Sequence, residues 1–181
     1  HTSYPEKVGW DIESGIIEYG LASKVICTYI CKSCNSWSRR KYSGAISTCR
    51  SCGSKASFMP SVSKGLSTND LVSVYNAFDL YAQYAICEGF GMPQVEAAAC
   101  GVPVAATNYS AMEDVVHFTK GYPVPVKTFF REIETWAERA YPDNEAMAKI
   151  IEEFASMDEN ARLEKSRIVR DGAISRYDWD D

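Results

Sequence analysis

The sequence predicts an α/β fold, a parallel sheet flanked by helices, interrupted by a small cysteine-rich module. Three observations predict it. Short apolar runs rich in β-branched residues alternate with helical runs across short turns, the order expected of a parallel sheet. Four of the seven cysteines form two C-x2-C pairs in a Ser/Gly-rich stretch between two such runs. With 181 residues, 46% of them hydrophobic, the chain is long enough to bury a real core. No run approaches eighteen uninterrupted apolar residues, which excludes a membrane-spanning helix.

In chain order, "DIESGIIEYGL" (11–21) reads as a short amphipathic helix with Ile12, Ile16, Ile17 and Leu21 on one side. "KVICTYI" (24–30) reads as a buried strand of the main sheet. After the cysteine stretch, Ser67, Thr68, Asn69 and Asp70 offer an N-cap to a helix carrying Leu71, Val74, Tyr75 and Phe78. "DLYAQYAI" (79–86) and "VPVAAT" (102–107) are further buried strands. The helix between them starts near Pro93 and stops at Gly101. "SAMEDVVHF" (110–118) opens with the Ser110–Glu113 spacing of a capping box. From Thr128 onward helices are expected to dominate. Ala146, Met147, Ile150, Ile151, Phe154 and Met157 form a core-facing stripe, and a more polar helix follows. The order is that of a Rossmann-like half, which places a ligand beyond the carboxyl ends of the strands.

The net charge of −5 conceals an asymmetry. No Asp or Glu occurs between Tyr19 and Asn69, where Lys24, Lys32, Arg39, Arg40, Lys41, Arg50, Lys55 and Lys64 contribute +8. The rest of the chain carries −13. A basic block in an acidic chain marks a separate module, an anion-facing surface, or a solvated insert of arbitrary charge. Trp37, Arg39, Arg40, Lys41 and Tyr42 mix cationic and aromatic side chains, as nucleic-acid surfaces do. Protein docking or a lid is favoured over nucleic acid, because four thiolates around a divalent ion themselves carry about two negative charges.

Cys31, Cys34, Cys49 and Cys52 fit a closed zinc ribbon, each C-x2-C turn presenting two thiolates to a tetrahedral Zn²⁺ with no position left for substrate. Disulfides are the competing reading, but C-x2-C pairs suit structural bridges poorly and the remaining composition points to the cytoplasm. Cys27, Cys87 and Cys100 lie in apolar runs and read as packing residues. A nucleophilic Cys87 would want a histidine base, and the chain has only His1 and His117.

The most informative stretch is "CEGFGMPQVEAAACGVPV" (87–104). A helix N-terminus preceded by glycines is an anion site, so a diphosphate could rest against Gly89, Phe90 and Gly91. Glu96 lies inside the helix, where its carboxylate can accept both hydroxyls of a ribose-like diol. Glu88 would reach hydroxyls at the other end of the same ligand. Loop and first turn span on the order of 10 Å, about the separation of two sugars across a diphosphate. Helix-end electrostatics would account for Glu96 alone. It does not account for Glu88 and the Gly-Phe-Gly loop together.

The stretch "EGFGMPQVEAAACGVPV" resembles the E-x7-E signature of retaining glycosyltransferases of family 4, whose C-terminal GT-B domain binds a nucleotide-sugar donor. "LVSVYNAFDLY" is similar to the helix and strand before that signature, "SAMEDVV" to the segment after it, and "RYDWDD" to the end of that domain. The resemblance covers residues 1–30 and 61–181, with the domain placed at 1–30 and 58–181 and the zinc-ribbon insert at 31–57. It implies that Glu88 faces the donor sugar as the catalytic carboxylate, that Gly89, Phe90 and Gly91 contact sugar and phosphate, and that Glu96 holds the ribose. It also implies retention of anomeric configuration without a catalytic metal.

The chain departs from the family pattern at Tyr84-Ala85, where Pro-Ser is common, and the insert occupies a loop that faces the donor cleft in the family. The diphosphate-neutralising cations of the family lie upstream of the matched segments, with Lys7 the one nearby candidate. The chain is therefore expected to be the donor half of a longer enzyme, inactive without an N-terminal acceptor-binding domain. The alternative is a non-catalytic zinc-ribbon adaptor on a degenerate transferase fold. It would bind nucleic acid or an acidic protein through Arg39, Arg40 and Lys41.

Overall fold

The structure, a computed structural model, describes residues 11–60 and 65–178. Lys7 and the final Trp179, Asp180 and Asp181 lie outside the described residues. The chain divides into two compact units, His1–Leu71 and Val72–Asp181.

In the first unit, helix α1 (Ile12–Glu18) begins at Asp11, whose carboxylate accepts the Ser14 N–H at 3.1 Å, and it buries Ile16. Strand β1 (Ile26–Cys31) pairs antiparallel with β2 (Trp37–Lys41) on one side and β4 (Ser57–Phe58) on the other. β3 (Ile46–Ser47) completes the order β2-β1-β4-β3. The expectation that residues 24–30 join the parallel sheet is not met. A continuous apolar run is buried in either kind of sheet, and here the flanking strands come from the cysteine stretch itself. Cys27, Tyr29 and Met59 form the small core. The Tyr29 hydroxyl donates to the Gly44 carbonyl at 2.8 Å, and the Arg40 guanidinium lies 4.5 Å from the Tyr29 ring centroid.

Helix α2 (Thr68–Tyr75) starts at Ser67, whose hydroxyl accepts the Asp70 N–H and donates to the Asp70 carboxylate; the unit boundary falls within this helix.

In the second unit, strands β5 (Tyr81–Gln83), β6 (Val104–Thr107) and β7 (Tyr122–Val124) run parallel in the order β5-β6-β7. Helices α3 (Met92–Ala99) and α4 (Ala111–Phe118) make the crossovers. β6 is buried at every position, as a central parallel strand covered on both faces should be. Ala105, Val124 and Met147 lie at the centre of the core, with Leu80, Tyr122 and Ile150 around them. Gly121 is required by close packing, since a Cβ there would lie 2.5 Å from the Val104 carbonyl oxygen.

Helices α5 (Asn144–Ser156) and α6 (Glu159–Tyr177) follow as the sequence predicts, capped by Asp143 and Asp158. Between them and β7, however, residues 126–142 are not helical. They form an antiparallel hairpin of β8 (Val126–Arg131) and β9 (Glu138–Pro142). Val126, Thr128, Phe129, Phe130 and Tyr141 are strand formers, and Trp136 takes a left-handed turn conformation, φ +60°. The α/β class holds: a parallel sheet flanked by helices.

Candidate functional site

Glu88 sits on the loop between β5 and α3, and Glu96 is the fifth residue of α3. Both are half-buried. The Glu96 carboxylate accepts the Tyr75 hydroxyl at 2.8 Å. The Glu88 carboxylate accepts the Gln83 side-chain N–H at 2.8 Å, and the Gln83 carbonyl in turn accepts the Tyr81 hydroxyl at 2.7 Å. The two tyrosine rings meet edge to face, centroids 6.1 Å apart. Burial pushes the Tyr81 phenol up to about 12, and the charges of Glu88 and Glu96 add to the shift. Tyr75 is raised as well, by burial first and by its bond to Glu96 second. Glu96 therefore bonds to Tyr75 directly and Glu88 is linked to Tyr81 through Gln83, and the phenols remain neutral donors at physiological pH.

The loop is shaped by its packing. Gly91 is buried and left-handed, φ +80°, and a Cβ on it would stand 2.5 Å from the Gln94 side-chain nitrogen. Gln94 is wholly buried beneath the loop, donating to the Phe90 carbonyl at 3.1 Å, and its own amide oxygen has no protein partner. The Phe90 ring packs edge to face on Tyr177, 5.8 Å between centroids, while Gly89 is exposed. The backbone of residues 89–91 is thereby fixed at the start of α3, where intrahelical acceptors for N–H groups run out.

The expected Ser110–Glu113 capping box is absent. Ser110 adopts φ 59°, ψ −152° and makes no side-chain cap bond. Its hydroxyl instead donates 2.7 Å to the Glu88 carbonyl, which ties the start of α4 to the Glu88 loop. The hairpin reaches the same loop. The Ala140 N–H donates to the Ile86 carbonyl at 3.0 Å, and Arg139, paired with Glu132 at 2.8 Å, lies beside Cys87.

Sequence reasoning missed Gln83, Tyr81, Ser110 and Arg139. An amide within an otherwise apolar run was the available signal for Gln83.

In the first unit, the Sγ atoms of Cys31, Cys34, Cys49 and Cys52 all lie within 4.8 Å of one another, a cluster that could hold a metal ion. The two turns are copies of one another. Ser33 and Ser51 donate their N–H groups to Cys31 and Cys49 at 3.4 Å, while Asn35 and Gly53 follow with positive φ. Hydrogen bonding from Ser36 foremost lowers Cys49 to about 5, and from Ser54 foremost lowers Cys31 to about 7. Of the basic residues nearby, Arg40 is occupied within the fold, donating to the Thr48 carbonyl at 2.8 Å and to Ser57; Arg39 and Lys41 are exposed.

A family model described as glycosyl transferases group 1 matches residues 61–162, more than half of the chain. The chain belongs to the group 1 glycosyltransferases. The match contains Glu88, Glu96 and the three-stranded parallel sheet, and it leaves out the four cysteines. Membership makes the protein a transferase and implies a nucleotide-sugar donor. No curated protein matches the chain. Among the described residues, no helix is long and apolar enough to cross a membrane.

Proposed function

We propose that this group 1 glycosyltransferase binds a nucleoside diphosphate sugar across the start of α3 and transfers the sugar with retention of configuration. The observation that carries this reading is that one connected group of side chains links the two carboxylates: Glu96 accepts from Tyr75, whose ring meets Tyr81, and Tyr81 reaches Glu88 through Gln83. In it, Glu96 takes the ribose hydroxyls, the backbone of Gly89, Phe90 and Gly91 takes the diphosphate, and Glu88 orients the sugar. Neither carboxylate needs to act as a covalent nucleophile. In a front-side transfer the departing diphosphate helps take the acceptor proton, so the protein supplies position and charge complementarity. The chain then acts as the donor-binding half, with a partner domain holding the acceptor.

Zinc is the metal proposed for the first unit. A tetrahedron of Zn–S bonds about 2.3 Å long sets its sulfurs roughly 3.8 Å apart. Cys31–Cys52 and Cys34–Cys49 are each 3.7 Å apart. With four thiolates and no open position, the ion would hold β1 and β4 together with the two turns and take no part in transfer. Such a thiolate site suits a reducing compartment, hence the cytoplasm.

Calorimetric titration with UDP-, GDP- and ADP-sugars tests the donor site. One of them is expected to bind wild-type protein, and Glu96→Ala is expected to abolish that binding. Binding of none, or binding indifferent to Glu96, would refute the assignment.

A further inference from the structure

The Glu88 carboxylate is held more firmly than a loop side chain requires. Gln83 is only 8% exposed at the end of β5. The two ends of its amide are chemically opposite, and the Tyr81 hydroxyl occupies the carbonyl end at 2.7 Å. The N–H end is therefore forced toward Glu88 Oε1, 2.8 Å away. On the backbone side, Ser110 donates 2.7 Å to the Glu88 carbonyl from a conformation that residues other than glycine avoid. A strained serine and a buried amide thus fix main chain and side chain of one residue from two different strand ends.

We infer that Gln83 is a positioning residue for the donor sugar: by occupying Glu88 Oε1 it leaves Oε2 aimed at a sugar hydroxyl, and so sets the affinity for the sugar but not for the nucleotide. The inference rests on the reading of Glu88 as the sugar contact. It assigns Gln83 a part in specificity that its place in a strand does not announce. Free rotation of the carboxylate would cost entropy when the sugar binds, whereas a prepaired carboxylate has already met that cost.

The test compares a free nucleoside diphosphate with the matching nucleoside diphosphate sugar, by titration calorimetry on the full chain. Wild type, Gln83→Leu and Gln83→Glu are measured at about pH 8 and about pH 5. Gln83→Leu is expected to weaken the sugar nucleotide about tenfold and leave the free diphosphate unchanged, the latter reporting an intact fold. Gln83→Glu sets two carboxyls against each other. Tyr81 on the same strand, and Glu96 with Tyr75 beyond it, are the other ionisable groups that face them. At pH 8 this variant is expected to match Gln83→Leu. At pH 5 the pair shares a proton, the introduced carboxyl donates as the amide did, and sugar affinity recovers. A Gln83→Leu variant that keeps the sugar increment, or that loses the free diphosphate equally, overturns the inference while wild-type binding leaves the site reading standing. Wild-type protein that binds neither ligand overturns both.

Discussion

The two units of this chain build their sites in opposite ways. The cysteine unit gathers its candidate metal ligands from two short turns, with Cys31, Cys34, Cys49 and Cys52 close together and serine partners within five residues of one of them in each turn. The transferase unit would draw its proposed donor site from the end of α2, the end of β5, the loop before α3, α3 itself and the entrance to α4. Local sites depend on one loop closing. Distributed sites depend on the whole sheet being in register, because Tyr75, Gln83, Glu88, Glu96 and Ser110 share no segment. The first kind should fail through its ligand, the second through its scaffold.

The largest expected effect is on the cysteine unit. Removing metal with a strong chelator, or Cys49→Ser, should release β1 and β4 together. Hydrogen exchange at residues 26–31 should then accelerate toward the unfolded rate while protection at residues 104–107 and 122–124 persists. Equal loss of protection in both units would erase the contrast.

Next comes the scaffold of the second unit. Gly121→Ala places a Cβ against the Val104 carbonyl, and a loss of about 1–3 kcal/mol is expected in denaturant unfolding. Strand β6 carries the register of the sheet, so donor affinity should fall along with stability. An unchanged denaturation midpoint would show that β6 and β7 can separate at no cost.

A third effect, smaller in stability than in binding, concerns Tyr75→Phe. It removes the hydrogen bond to Glu96 while keeping the ring, and about tenfold weaker nucleotide binding is expected with little change in Tm. Equal binding by the variant would show that Glu96 needs no orienting partner.

The smallest effect is a pH dependence. The backbone N–H of Ala146 first, then that of Glu145 and the charge of Lys127, hold the Asp143 carboxyl below its ordinary value. A depressed folded-state pKa contributes stability above the unfolded value of about 3.9, which is lost as pH falls through the folded value. Protection factors at the first turn of α5, taken relative to the intrinsic exchange rate at each pH, should fall on acidification in wild type and lose that dependence in Asp143→Asn.

The same contrast explains what the sequence disclosed. C-x2-C spacing encodes a whole site in a few residues, so the cysteine cluster was legible outright. That Glu88 and the Gly-Phe-Gly loop lead into the helix carrying Glu96 was legible because loop and helix start are contiguous. Gln83, Tyr81 and Ser110 were not: Gln83 and Ser110 meet Glu88 from 5 and 22 residues away along the chain, and Tyr81, two residues before Gln83, joins the site only through that amide. Ser110 misled directly: Glu113 three residues on suggests a capping box, whereas the nearby Glu88 carbonyl is the acceptor it uses. The β8–β9 hairpin was lost to the helical reading beyond Thr128, because Glu132, Glu134 and Glu138 resemble a solvated helix face. The strand 26–31 was identified as a strand but given to the wrong sheet, since an apolar run does not name its partner.

The central claim is that one sugar diphosphate lies between Glu88 and Glu96 at the start of α3, and a co-crystal structure with a bound nucleoside diphosphate sugar tests it most directly. The account predicts ribose hydroxyls on the Glu96 carboxylate, the diphosphate against the backbone of residues 89–91, and the sugar on Glu88. A ligand seated instead in the cavity of about 480 Å³ lined by Phe78, Leu80, Met147, Ile151, Phe154 and Arg162 would contradict it.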